Sequence, residues 1–168
     1  MSRPAFVVDT NVLVVANGRS SHADMACINA CAHELHHIRQ KGRIIIDRQM
    51  AVLKEYRQYV DPSGRPGLGD FFFKWVWDNR ANTDVCVLIN ITPSSQDEGD
   101  YREFPDDPDL AGFDRSDRKF VSVAIASSLD PTILNAVDKD WWQFHKILKR
   151  HGIRVKFLCP QYMAESHR

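Results

Sequence analysis

The chain of 168 residues is long enough for one ordinary hydrophobic core and short for two, so a single unit over residues 1–168 is expected. Lys plus Arg and Asp plus Glu balance at 22 each, which excludes a bulk electrostatic attraction to nucleic acid or an anionic membrane and leaves such contacts to local patches. An apolar fraction of 43% with 26% charged residues excludes a disordered or fibrous chain. The apolar runs are strand-length, far below the roughly 20 residues that span a bilayer, so no membrane role is expected.

Residues 5–8 are a continuous apolar run that ends in Asp9, Thr10 and Asn11, as a buried parallel strand opening into a helix or turn would. Asp9 is thereby placed at the carboxyl end of a strand. Residues 21–40 carry helical spacing, with Cys27, Ile28, Cys31, Leu35 and Ile38 on one face, Ser20 or Ser21 as cap and Gly42 as stop. A second strand is expected over 43–46, then a helix through Met50, Leu53, Tyr56 and Val60 capped by Asp47; Glu55 lies on it. Residues 61–69 are dense in Pro and Gly and form a loop. The segment 71–77 is aromatic on more than one helical face, which fits either an interface or a helix sandwiched in the core.

A third strand is expected over 85–91, ended by Thr92 and Pro93. The stretch from Pro93 to about Phe113 holds Asp97, Glu98, Asp100, Glu103, Asp106, Asp107 and Asp109 and reads as a solvated, mobile loop. A helix over 117–128, capped by Asp114 or Ser116, leads to a fourth strand over 133–137 that ends at Asp138. A helix over 141–151 stopped by Gly152 and a short strand over 154–158 complete the chain. Strands alternating with helices define an α/β domain with a mainly parallel sheet, in which ligands collect at the carboxyl ends of the strands.

The four cysteines fall in expected helices and strands with no secretory leader pattern before them, so free thiols and a cytoplasmic location are expected. Cys27, Cys31, His33, His36 and His37 suggest zinc at first, yet the cysteines share the apolar face and no second ligand pair follows, so core packing is the better account. Basic residues gather at Arg39, Lys41 and Arg43 and from Lys146 to Lys156, where they could follow phosphates or form an ordinary charged surface.

Asp9, Glu55, Asp117 and Asp138 lie at positions that can converge, and carboxylates gathered together repel one another unless a hard divalent cation with oxygen preference lies between them. Singly, each acid is as well explained as a cap or a solvated charge. Four segments together resemble the ordered motifs of the PIN domain family: Phe6-Val7-Val8-Asp9-Thr10-Asn11-Val12-Leu13, Leu53-Lys54-Glu55-Tyr56, the run from Phe113 through Asp117 to Ala124, and Asn135-Ala136-Val137-Asp138-Lys139-Asp140-Trp141.

The resemblance covers nearly the whole chain and implies a three-layer α/β/α fold around a mainly parallel sheet of about five strands. It implies a Mg2+- or Mn2+-dependent nuclease, RNA favoured over DNA, related to the toxins of toxin-antitoxin pairs or to the nuclease of a defence system. Asp9, Glu55, Asp117 and Asp138 would be catalytic and metal-binding, Asp140 a secondary ligand, and Thr10 and Asn11 would orient Asp9 or a water. His22, Arg118 and Lys139 are candidate nucleic-acid contacts, and a second copy or a regulatory protein is an expected partner. The family often has Thr or Ser where this chain has Ala136, which removes a hydroxyl near the metal. The competing expectation is a PIN-like scaffold that binds RNA or a protein without chemistry.

Overall fold

A computed structural model describes residues 2–163. Five strands, β1 (Ala5–Val8), β2 (Arg43–Asp47), β3 (Cys86–Ile89), β4 (Thr132–Asn135) and β5 (Arg154–Phe157), form one sheet in the order β3-β2-β1-β4-β5, every pairing parallel. Parallel neighbours need crossovers, and the chain supplies helices: α1 (Thr10–Ala16), α2 (Met25–Lys41), α3 (Ala51–Tyr59), α4 (Leu68–Asn79), α5 (Arg118–Ser127), α6 (Lys139–Arg150) and α7 (Pro160–Met163).

Strand order runs outward in one direction from β1 to β3 and in the other from β4 to β5. Right-handed crossovers therefore put α1 to α4 on one face and α5 and α6 on the other, the three layers expected. The contacts agree: α1 touches α2, α3 and α4, whereas α5 lies across β1 to β4. β1 and β2 carry nearly unbroken apolar runs because both faces are covered; Val7, Val8 and Ile44 to Ile46 have no exposed surface. The chain leaves β1 toward one face and β4 toward the other, so a crevice opens between the carboxyl ends of these adjacent strands.

Element boundaries shift where a side chain caps better than the sequence suggests. Asp24, not Ser20 or Ser21, caps α2 by accepting from the Cys27 N–H. Asp47 does cap α3, but from a distance: its carboxylate accepts from the N–H groups of Ala51 and Val52, while Met50 turns through left-handed backbone at φ 67°. Asp114 caps a 3-10 turn, Arg115–Asp117, that runs into α5. In the aromatic segment Phe72, Phe73 and Val76 are buried while Phe71 and Trp77 are exposed, so α4 is half core and half surface.

Three expectations are corrected. Cys27 and Cys159 form a disulfide that ties α2 to the start of α7, leaving Cys31 and Cys86 as free, buried thiols. A separation of 132 residues hid the pairing from any spacing argument. The acidic stretch after β3 is anchored, not loose: Thr92 binds Glu103, Phe104 stacks on Phe113, Leu110 is buried, and Asp107 and Asp109 pair with His151 and Arg150.

Arg118, a candidate nucleic-acid contact, is buried instead. It is bonded to Asp100 at 2.6 Å and to the carbonyls of Ala111 and Phe113, with its guanidinium over the Phe104 ring, so it fastens this stretch to α5. Among the described residues no helix is long and apolar enough to cross a membrane.

Asp70 carries a structural role that the sequence analysis did not assign. Fully buried at the start of α4, it accepts from Asn17 Nδ2 and from the backbone N–H groups of Asp61 and Gly67, and it pairs with Arg19. One carboxylate thus ties together the end of α1, the end of α3 and the start of α4. Gly69 lets α4 approach α1 so closely that a Cβ there would lie 2.0 Å from the Leu13 carbonyl oxygen.

Candidate metal centre

The acids arrive at the crevice by separate routes. Asp9 is the first residue past β1 and caps α1, its Oδ1 accepting from the Asn11 N–H at 3.2 Å. Asp138 follows β4 by three residues and caps α6, accepting from the Asp140 N–H at 2.9 Å. Asp117 closes the 3-10 turn before α5. Carboxylate oxygens of these three lie within 4.8 Å of one another.

Two side chains missed by the sequence reading shape this cluster. The indole N–H of Trp141, from the first turn of α6, donates to Asp9 Oδ2 and so fixes the carboxylate from the side opposite Asn11. Asp9 and Trp141 are both buried, so that bond is sheltered from water. Lys119, the second residue of α5, reaches Glu55 Oε1 at 2.7 Å and also donates to the Ser116 carbonyl. A carboxylate two residues before a lysine on a helix start gave no sequence signal that the lysine would turn back toward the pocket.

Of the expected ligands, Asp9, Asp117 and Asp138 come together and Glu55 stands apart from that group. Glu55 lines the same cavity, but one of its oxygens is held by Lys119 and the other accepts from Thr10 Oγ1. Thr10 therefore orients Glu55, not Asp9. Asn11 does more than expected: its side-chain oxygen accepts from the N–H groups of Ala136 and Val137, and its Nδ2 donates to Asn135. Asn135 in turn bonds both the N–H and the carbonyl of Asp138. This amide pair sets the turn that delivers Asp138, and Ala136 takes part through its backbone.

Asp140 is outside the cluster and accepts from the Asp114 N–H at 2.9 Å. Burial foremost pushes its carboxyl above the ordinary value. His22 and Lys139 are exposed and line no part of the cavity.

The electrostatics are those of crowded anions. Burial first, then the Asp138 charge, raises Asp9 to about 7, against hydrogen bonds from Trp141 and Asn11 that lower it. Burial, then the charges of Asp9 and Asp138, raises Asp117 to about 10. Asp117 Oδ2 is buried without a hydrogen-bond partner. A bare carboxylate oxygen in such a place is costly unless a proton or a cation meets it.

Three carboxylates at this spacing, one with a free oxygen, make an all-oxygen donor set suited to a hard divalent cation such as Mg2+ or Mn2+. Beside them opens a cavity of about 260 Å³ bounded by Asp9, Glu55, Asp117, Ser20, Tyr59 and Val137, among other residues.

No protein-family model matches the chain, and no curated protein or solved structure matches it either.

Proposed function

We propose that the chain is a divalent-cation-dependent nuclease, an endoribonuclease before a deoxyribonuclease, acting as a toxin of a toxin-antitoxin pair or as the nuclease of a defence system. The observation that carries this reading is the meeting of Asp9, Asp117 and Asp138 at the crevice between β1 and β4, with Asp117 Oδ2 unpartnered. The resemblance of the four acidic segments to PIN domains supports it and favours RNA.

Bound Mg2+ or Mn2+ would lower the pKa of a water and offset charge on a phosphate. The residues of the chain supply the rest. Asp9, Asp117 and Asp138 would hold the cation, and Trp141 with the Asn11 N–H keeps Asp9 in one orientation. Asn11 and Asn135 fix the turn that presents Asp138. Without a cation Asp117 holds its proton at neutral pH, and that proton must leave before its carboxylate can serve as a ligand. Glu55 and Lys119 form a neutral pair at the cavity wall, which limits the negative charge facing an incoming phosphodiester.

The test is cleavage of labelled single-stranded RNA, single-stranded DNA and duplexes with Mn2+, comparing the natural chain with Asp9→Asn and Asp117→Asn. Both variants should fold and cut nothing. Cleavage by Asp117→Asn at the natural rate would refute the reading. The second reading, a scaffold without chemistry, draws on the engagement of Glu55 by Lys119 and Thr10, which leaves three of the four expected acids for a cation. A scaffold would show no carboxylate-dependent Mn2+ binding by calorimetry.

A further inference from the structure

We infer that the groove between the end of α3 and α4 is a track for single-stranded nucleic acid leading into the carboxylate cavity; its occupant rests on the nuclease reading. The groove has a volume of about 610 Å³ and its walls include Arg19, Arg57, Tyr59, Phe73 and Trp77. Tyr59 also lines the carboxylate cavity, and Arg19 adjoins Ser20, which lines that cavity too, so the two depressions share a wall.

The carboxylate cavity cannot hold a polyphosphate chain by itself. Asp9, Glu55 and Asp117 line it and no basic residue does. Any strand reaching it must be held by positive charge alongside, and the groove has that charge. Among the described residues neither Arg57 nor Arg80 has a carboxylate within ion-pair range, and both guanidinium groups stand over the Trp77 ring, at 5.9 and 4.2 Å from its centroid. Arg19 gives one edge to Asp70 but remains half exposed. Asp61 is the one acid in the groove wall, and its carboxylate accepts from its own loop at the Ser63 N–H.

Aromatic surface completes the match. Tyr59 is 58% exposed, and Trp77, 37% exposed, extends this surface beneath the Arg57 and Arg80 guanidinium groups. Unpaired bases stack on exposed aromatic faces whatever their identity, while arginines follow the phosphates. A duplex keeps its bases stacked on one another and has none to offer these rings. A groove shaped for an apolar protein segment would not set Arg19 and Arg57 in its wall with Arg80 beside them over Trp77.

The experiment measures binding of a fluorescein-labelled single-stranded oligoribonucleotide by anisotropy in EDTA, where cation-dependent cleavage is blocked. Arg57→Ala and Trp77→Ala alter exposed side chains, and thermal melts verify their fold. Each variant should bind about tenfold more weakly, and Arg57→Ala should reduce the slope of log affinity against log salt by about 0.7. Mn2+ affinity, measured by calorimetry, should stay unchanged in both. A duplex of the same sequence should compete at least about tenfold less well than the single strand.

Unchanged RNA affinity and salt slope in both variants would overturn the inference, and that is the result expected of a groove serving a protein partner. Failure of the nuclease reading looks different: the natural chain neither binds Mn2+ nor cleaves, yet the groove variants still lose RNA affinity.

Discussion

The indole N–H of Trp141 donates to Oδ2 of Asp9 across 132 residues of sequence, joining the first turn of α6 to the end of β1 inside the buried part of the site. The hydrogen bond holds an anion that burial and neighbouring charge would otherwise disfavour. Trp141→Phe keeps a ring in the core, where Trp141 packs edge-on against Phe113, but removes the donor. The expected result is Mn2+ affinity lowered about tenfold, the range seen when a group orienting a metal ligand is lost, with the fold retained. Calorimetric titration checks the affinity and near-ultraviolet circular dichroism the core.

The acidic cluster also sets a pH dependence of stability. Folding raises Asp9 to about 7 and Asp117 to about 10 from an ordinary value of 3.8. Between the ordinary and raised values the folded chain holds protons that the unfolded chain has released, so stability declines as pH rises. The loss starts near pH 4 and continues past neutrality. In chelator the melting temperature should therefore fall from about pH 5 to about pH 8. Mn2+ should restore it most at the higher pH. Asp117→Asn removes the largest contribution and should be more stable than the natural chain in chelator at about pH 8, by at least about 1 kcal/mol. A melting temperature that climbs with pH in chelator would contradict this account.

The inner strands were legible because β1, β2 and β4 are largely buried and read as apolar runs, with Asp9 directly after the first and Asp138 three residues past the last. The fit of Asp117 to the cluster came from the ordered motif, since its position before α5 alone equally suggests a cap. What escaped the sequence reading were pairings between distant side chains. Lys119 meets Glu55 at a separation of 64 residues, and nothing local to either announces it. Arg118 reads as a surface cation until Asp100 and the carbonyls of Ala111 and Phe113 enclose it. Asp70 did leave a local trace, an acid three residues after Gly67 at a helix start, which is the position of a capping-box acid.

The Cys27–Cys159 bond closes a loop of most of the chain, and cross-linking distant residues restricts the unfolded ensemble. Reductant should lower unfolding stability by about 2–4 kcal/mol. Cys159→Ala should show the same loss and no further response to reductant. Urea unfolding with and without a dithiol distinguishes these outcomes, and equal midpoints for the natural chain would mean that the cross-link adds nothing.

Lys119 and Glu55 are each largely buried, at 11% and 16% side-chain exposure, so their pair behaves as an interior one. Removing one member strands the other charge, whereas removing both need not. Lys119→Met should cost on the order of 3 kcal/mol in chelator, because it leaves Glu55 uncompensated beside Asp9 and Asp117. Adding Glu55→Gln should recover most of that loss. Mn2+ should discriminate further: with Lys119 gone, Glu55 Oε1 is released toward the cavity, and cation affinity should rise in Lys119→Met and fall back in the double variant. Calorimetry on the four members of this cycle measures the coupling directly. Equal Mn2+ affinity in all four would place Glu55 outside the reach of the cation, with Lys119 serving the fold alone.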